Sequence, residues 1–184
     1  MLEVRQLGLE GVLEIVPKRH GDARGYFTET WNAERFAEAG IDLRFVQDNH
    51  SYSAAPGVLR GLHYQLAPRA QDKLLRVARG RLLDVAVDIR RSSKTFGKWV
   101  ALEISAEKGN QILVPKGFAH GFVTLVPDTE VLYKVTDTYS PGHDRSIRFD
   151  DPDIGIEWPV IPDGFQLSDK DLKAPKLAAA EVFE

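Results

Sequence analysis

Alternation of hydrophobic and polar residues is the main pattern along this chain. Leu83, Val85, Val87 and Ile89 alternate with Asp or Ala, which is the period-2 pattern of a half-buried strand. Similar apolar runs predict further strands at 12–16, 25–31, 45–51, 58–66, 74–78, 99–104, 111–114, 122–125 and 131–136. Scattered prolines and glycines separate these runs, as the turns between short strands require.

One helix is predicted after Asn32, whose side chain is suited to cap a helix N-terminus. Ala33, Phe36 and Ala37 supply its apolar stripe, and Gly40 is suited to end it. We therefore expect one short helix between two groups of strands.

The C-terminal tail, residues 168–184, is predicted to start with a helical turn at Ser168 that is broken by Pro175. Many short antiparallel strands with one or two short helices predict an all-β fold, a jelly-roll barrel or sandwich. We expect residues 1–184 to form a single domain of this class. A small ligand would bind at its mouth, among inward-facing side chains.

Composition and charge restrict the function. The 24 basic and 27 acidic residues give a net charge of −3, so duplex nucleic acid is not an expected partner. The chain has no cysteine, which excludes disulfides and thiolate chemistry. No apolar run approaches the ~20 residues that cross a bilayer, and the N-terminus lacks a signal-peptide pattern. We therefore expect a cytoplasmic protein without a membrane partner.

The segment RGLHYQ, residues 60–65, carries the first candidate histidine. In a regular strand His63 and Gln65 share one face, while Arg60, Leu62 and Tyr64 point the other way. The side chain of His63 would then lie on the face that carries any chemistry in the interior of the fold. The alternative is a core histidine with a satisfied hydrogen bond.

The segment PKGFAHGF, residues 115–122, carries the second candidate histidine, His120. A turn is predicted at 115–117, and His120 follows between Ala119 and Gly121, whose small size leaves room for a ligand. The alternative is a turn histidine with a purely local hydrogen bond.

The spacing of these residues does not favour a metal site. His63 is followed two residues later by Gln65 rather than by a second histidine, and Asp72 is followed at once by Lys73. The nearby cations suit an anion instead, because arginine binds phosphate bidentately and lysine acts as a point charge. These cations are Arg24, Arg60, Lys73 and Arg76, and the alternative for each is a solvated surface charge.

Taken in order, these segments resemble the dTDP-4-dehydrorhamnose 3,5-epimerase family. The resemblance runs over nearly the whole chain and rests on RGYFTE (24–29), FVQDNHS (45–51), RGLHYQ, VDIRRSSKTFGKW (87–99), PKGFAHGF, Tyr133, YSPGHD (139–144), DDPDIGIEWP (150–159) and LSDKD (167–171). It implies a cupin-like jelly roll that forms a homodimer and uses no metal or other cofactor. The implied substrate is dTDP-4-dehydro-6-deoxy-D-glucose, epimerised at C3 and C5 to dTDP-4-dehydro-L-rhamnose for lipopolysaccharide or cell-wall polysaccharide.

The resemblance also implies residue roles. His63 matches the general base, Tyr133 the general acid, and Lys73 the lysine beside the C4 oxygen of the sugar. Asp171 matches the carboxylate that pairs with the histidine, and Asp169 is a rival two residues away. The residues that match nucleotide-sugar contacts are Arg24, Glu29, Gln47, Asn49, Arg60, Lys73, His120, Asp144 and Lys170. At Asp144 the family often has Glu, so this carboxylate is one methylene shorter.

These roles suit the chemistry, because epimerisation beside a ketone needs a base on one face of the sugar and a proton donor on the other. Phe27, Tyr64 and His120 are candidates to pack on thymine or sugar, and the N-terminal strand is expected to cross to the partner subunit. Structural alternatives remain: Tyr133 as a core tyrosine, Asp171 as a helix cap, and Lys73 as an edge-strand charge. Functional alternatives are a C3-only or C5-only epimerase, a non-catalytic sugar-nucleotide binding module and a metal-dependent cupin oxygenase.

Overall fold

The computed structural model describes residues 2–184, which form thirteen strands, two α-helices and one 3-10 helix. The strands are Glu3–Gln6 (β1), Leu13–Val16 (β2), Arg19–Asp22 (β3), Gly25–Thr28 (β4), Gln47–Ser53 (β5), Leu59–Gln65 (β6), Lys73–Arg79 (β7), Arg81–Asp88 (β8), Trp99–Ser105 (β9), Gln111–Val114 (β10), Phe118–Thr124 (β11), Thr129–Val135 (β12) and Asp144–Ser146 (β13). The helices are Ala33–Glu38 (α1) and Asp169–Leu172 (α2), and the 3-10 helix is Leu177–Ala179.

Two antiparallel sheets carry most of the strands. One is six-stranded, in the order β1-β2-β10-β7-β12-β5, and the other is five-stranded, in the order β13-β6-β11-β8-β9. Strands β3 and β4 form a separate hairpin. Because strands that are distant in sequence lie side by side, the two sheets form a jelly-roll sandwich, which confirms the predicted all-β fold.

The apolar residues form three layers around these sheets. The first lies between the sheets and includes Leu75, Leu82, Ile104 and Val131. A second covers the outer face of the five-stranded sheet, where the C-terminal tail packs on β8, and a third lies between the six-stranded sheet and α1. The tail and α1 thus cover faces that would otherwise expose apolar side chains to water.

Strand β8 was predicted to be half-buried, and this prediction is wrong. Val85, Val87 and Ile89 pack beneath the C-terminal tail. Asp84 and Asp88, which occupy the polar positions of the alternation, have no exposed surface. Alternation therefore identified the strand, but both of its faces are buried in the sandwich.

Several strand boundaries differ from the predicted ones. Strand β4 stops at Thr28 instead of residue 31, β5 begins at Gln47, and β11 begins at Phe118, so His120 lies within a strand rather than in a turn. The apolar runs did not mark strands β1, β3 and β13. Their sequences, EVRQ, RHGD and DRS, are mostly polar and form no apolar run.

Both predicted helical segments are present. The Oδ1 atom of Asn32 accepts a hydrogen bond from the backbone N–H of Arg35 at 3.2 Å, and α1 is followed by Gly40 at φ +85°. At α2 the capping atom is Oγ of Ser168, which accepts from the N–H of Asp171 at 3.2 Å. The side chain of Asp171 is therefore not the cap. Within residues 2–184 no helix has the length and hydrophobicity to span a membrane.

Candidate active site

A cavity of about 260 Å³ opens between the two sheets. Arg60, His63, His120 and Phe122 line it from the five-stranded sheet, and Ser51, Lys73, Leu75 and Tyr133 line it from the six-stranded sheet. The cavity thus gathers five of the residues singled out from the sequence: Arg60, His63, Lys73, His120 and Tyr133.

A β-bulge places Arg60 and His63 on the same wall of this cavity. His63 lies opposite His120, whereas Arg60 lies opposite Phe122, so β6 has one residue more than β11 in this interval. The alternation expected for a regular strand, which put Arg60 on the other face, is therefore wrong. The extra residue interrupts the alternation of side chains between positions 60 and 63, so Arg60 and His63 point to the same side of the sheet.

Gly61 makes this bulge possible. Its φ is +129°, and a Cβ atom there would lie 2.5 Å from Cα of Gly121 on the neighbouring strand. Only glycine fits this backbone conformation at this separation of the two strands.

His63 is held by a buried carboxylate. Its Nε2 lies 2.5 Å from Oδ1 of Asp171, which α2 presents against β6, and Asp169 makes no such contact. Burial raises the pKa of Asp171, but hydrogen bonds from His63 and Ser168 outweigh it and hold that pKa below its usual range. With Nε2–H donated to Asp171, a neutral His63 carries its basic lone pair on Nδ1.

Tyr133 lies on β12, in the sheet opposite His63. Its neighbours in the sheet are Asn49 on β5 and Leu75 on β7, and its ring packs against the apolar layer between the sheets. Burial raises the pKa of its hydroxyl, although the positive charge of Arg60 partly opposes this. The phenol therefore keeps its proton at neutral pH.

Lys73 projects from the start of β7, and its Nζ donates a hydrogen bond to the backbone carbonyl of His63 at 3.2 Å. Burial lowers the pKa of its ammonium to about 8, while the negative charges of Asp84 and Asp144 oppose the change. This position in the cavity does not fit the alternative of an edge-strand charge, because β7 lies inside its sheet, between β10 and β12.

His120 also has a carboxylate partner, and sequence reasoning missed it. Both oxygens of Asp84 lie 2.9 Å from Nε2 of His120. Burial raises the pKa of Asp84, and the hydrogen bond from His120 and the positive charge of Lys73 oppose this rise. The only signal in the sequence was an Asp in the middle of a mostly apolar strand, which the alternation assigned to solvent.

A hydrogen-bonded network beside the cavity contains four more of the predicted residues. Nε2 of Gln47 donates to Oδ1 of Asn49 at 2.9 Å, and the backbone N–H of Tyr139 donates to Oε1 of Gln47 at 3.0 Å. The hydroxyl of Tyr139 donates to Oδ2 of Asp144 at 3.4 Å, and Lys170 forms an ion pair with the same carboxylate. Asp144 therefore has polar partners despite its shorter side chain.

Arg24 and Glu29 do not reach the cavity of their own chain. Arg24 lies in the turn of the β3–β4 hairpin with 90% of its side chain exposed, and its guanidinium pairs with Asp22. Glu29 follows β4 and pairs with Arg35 at 3.1 Å. Phe27, also on the hairpin, is 69% exposed. One chain by itself does not bring these side chains to the site.

Two further candidates lie elsewhere. Arg76 shares its face of β7 with Leu74, which packs toward α1, so it does not join the cations of the cavity. Tyr64 is buried beneath the C-terminal tail, and its hydroxyl donates to the carbonyl of Glu181 at 2.6 Å, so it cannot pack on a base. Among residues 2–184, no three His, Asp or Glu side chains converge as metal ligands would.

Comparison with known proteins identifies one family. A sequence model described as dTDP-4-dehydrorhamnose 3,5-epimerase matches residues 6–179. A curated protein of that name from Sinorhizobium fredii is 50% identical over 178 residues, covering 97% of this chain and 91% of its own.

Solved structures give the same result. The 3,5-epimerase from Legionella pneumophila, crystallised with dTDP-4-keto-L-rhamnose, is 44% identical with a TM-score of 0.93 and coverage of 97% of this chain and 94% of its own. The Bacillus anthracis enzyme, solved with TDP and pyrophosphate bound, is 45% identical with a TM-score of 0.92 and coverage of 96% and 99%.

Proposed function

The chain belongs to the dTDP-4-dehydrorhamnose 3,5-epimerase family, and we propose that it converts dTDP-4-dehydro-6-deoxy-D-glucose to dTDP-4-dehydro-L-rhamnose in dTDP-L-rhamnose biosynthesis. The observation that carries this proposal is the position of two rings on opposing walls of one cavity. The imidazole of His63, paired with Asp171, belongs to one sheet, and the phenol of Tyr133 belongs to the other.

Proton transfer through an enolate explains why both rings are needed. The C4 ketone acidifies the hydrogens on C3 and C5, and Nδ1 of His63 removes one of them while Asp171 stabilises the imidazolium that forms. Tyr133 then donates its proton to the carbon from the opposite face, which inverts the centre. A base without an opposing donor would return the proton to the side it came from.

Lys73 supports the enolate in this proposal. When a proton leaves C3 or C5, negative charge develops on the C4 oxygen, and the ammonium of Lys73 is fixed in the cavity by the carbonyl of His63. A preorganised cation in a site shielded from water stabilises such an oxyanion strongly, typically by about 3 kcal/mol. This sequence of steps needs no metal or organic cofactor.

Recognition of the nucleotide involves a second subunit in this proposal. Arg60, His120 and the network at Gln47 and Asp144 are available to the substrate within one chain, but Arg24 and Glu29 are not. We propose a homodimer of single jelly-roll domains in which the β3–β4 hairpin completes the partner's site. The N-terminal strand was expected to cross to the partner, but β1 pairs with β2 of its own chain. A cytoplasmic location fits an enzyme of nucleotide-sugar metabolism.

Deuterium exchange tests the reaction. The protein is incubated with the 4-keto sugar nucleotide in D₂O, and C3 and C5 are read by NMR. We expect label at both carbons with inversion. Label at only one carbon would identify a single-centre epimerase, and label at neither would leave a binding module.

Two variants test the assigned roles. We expect His63→Ala to lose activity by several orders of magnitude while still binding dTDP, and Tyr133→Phe to retain hydrogen exchange better than net epimerisation. Near-normal turnover by the first variant, or equal loss of both signals in the second, would contradict the mechanism.

Dialysis against a chelator should leave the rate unchanged, whereas loss of activity with loss of stoichiometric iron or zinc would favour the oxygenase alternative.

A further inference from the structure

We propose that Asp84 is a positioning residue of this site, which orients His120 toward the cavity and keeps Lys73 positively charged. The inference rests on the proposed function, because it assigns Asp84 to the same proton-transfer site. It adds a second histidine–carboxylate pair to the one formed by His63 and Asp171.

The geometry around His120 is the first support. Asp84 has no exposed surface and His120 is only 7% exposed, and the strands that carry them, β8 and β11, are directly paired. Both carboxylate oxygens lie 2.9 Å from Nε2 of His120. In the described part of the chain these are the only hydrogen bonds of that ring, so Nδ1 is left for a ligand in the cavity.

This arrangement determines what His120 offers the substrate. With Nε2–H donated to Asp84, the neutral ring presents a lone pair at Nδ1. A second proton at Nδ1 makes the ring a donor to an anionic oxygen, and Asp84 stabilises the resulting imidazolium from the other side. The pair is therefore suited to hold an oxygen of the diphosphate or of the sugar.

The charges around Lys73 are the second support. Asp84 faces it from β8, Asp144 from β13 and Lys170 from α2. The ionisable side chains that share its cavity are His63, His120, Arg60 and Tyr133.

Of the two carboxylates, Asp144 is already paired with Lys170, whereas Asp84 is hydrogen-bonded to His120 and has no lysine or arginine partner in the described part of the chain. Burial lowers the pKa of Lys73 to about 8, and Asp84 is the largest influence against that shift. Without its charge, the pKa of Lys73 would fall further and the ammonium would lose its proton near neutral pH.

A comparison of the Asp84→Asn and Asp88→Asn variants distinguishes a positioning role of Asp84 from the general effect of removing a buried charge. Asp88 is a matched control, because it is equally buried on the same strand but accepts hydrogen bonds from Arg90, Ser93 and Thr95, outside the cavity. Both variants remove one buried charge and keep the shape of the side chain.

The readout is kcat and KM between pH 6 and 10, together with Tm. For Asp84→Asn we expect the alkaline fall of kcat to move at least about one pH unit lower, with roughly fivefold or greater loss of kcat at pH 8. Asp88→Asn should lower Tm and leave the pH profile in place. A profile of Asp84→Asn that coincides with wild type, or equal shifts in both variants, would overturn the proposal.

A second measurement needs neither a variant nor turnover. ¹⁵N NMR of histidine-labelled wild-type protein should show His120 protonated at Nε2 in the free enzyme, and addition of dTDP should protonate Nδ1 as well. A free ring protonated only at Nδ1 would overturn the proposed orientation. Because this readout is independent of catalysis, it distinguishes failure of the positioning role from failure of the epimerase assignment.

Discussion

At the scale of single residues, the reactivity of the site depends on where ordinary side chains are buried. Lys73 illustrates this, since burial brings the pKa of its ammonium to about 8. The charged form stabilises the enolate, and lysine is charged below its pKa, so we expect kcat to fall as pH rises through about 8. A kcat profile measured with saturating substrate checks this expectation, and a kcat that stays constant to pH 10 would contradict it.

Removal of the same charge tests the role directly. Lys73→Met should lower kcat by about 10²–10³-fold, the usual effect of losing one preorganised oxyanion stabiliser. Lys134→Met is the matched control, because Lys134 is on the neighbouring strand β12 and pairs with the largely exposed Asp48. It should change kcat less than about twofold. Equal losses in the two variants would point to a general electrostatic effect.

The two aspartates of α2 make a sharper comparison. Asp171→Asn should lower kcat by about 10²–10⁴-fold, because an amide can present its N–H to Nε2 of His63 and favour the wrong tautomer. Asp169→Asn changes an exposed side chain and should leave kcat within about twofold of wild type. Steady-state kinetics and dTDP binding measured side by side check both outcomes. Equal effects would remove Asp171 from the catalytic pair.

At the scale of elements, the bulge between β6 and β11 decides which side chains share the cavity. Gly61→Ala would place a Cβ atom 2.5 Å from Cα of Gly121 at a φ of +129°. We expect unfolding to become easier by at least about 2 kcal/mol and activity to fall, because Arg60 and His63 are displaced together. Thermal unfolding and kcat measure the two effects.

Gly142→Ala is the control for this substitution. A Cβ atom at Gly142 meets nothing within 4 Å, and its φ is not in the left-handed region. Its Tm and kcat should remain near those of wild type. If Gly61→Ala behaves like Gly142→Ala, the bulge does not require glycine.

At the scale of the whole molecule, the position of Arg24 on an exposed hairpin leads to a prediction about assembly. His63→Ala and Arg24→Ala should each be poorly active, but mixed heterodimers would contain one site with both residues intact. Co-expression of the two variants with different tags, followed by purification of the heterodimer, should recover up to about half of the wild-type rate.

A heterodimer of the His63→Ala and Tyr133→Phe variants, prepared in the same way, should recover no activity. Both residues line the cavity of one chain, so neither site of that heterodimer contains both rings. Recovery in this control, or its absence in the first pair, would contradict a hairpin shared between subunits.

The sequence by itself determined the class of fold and most of the chemistry. Alternating runs are a local property, because successive side chains of a strand point to opposite faces, and they predicted most of the strands. The order of the segments indicated the family, and His63, Lys73, His120 and Tyr133 do meet in one cavity. Local capping signals at Asn32 and Gly40 were equally informative, because a cap acts within one helical turn.

Only the tertiary structure decided how these residues are arranged. The bulge at Gly61 depends on the close approach of another strand, so the sequence of β6 could not indicate that Arg60 and His63 share a wall. The burial of Asp84 depends on the second sheet, and its contact with His120 joins residues 36 positions apart. Long-range packing determines which polar groups are buried away from water, and a local sequence pattern carries no information about that packing.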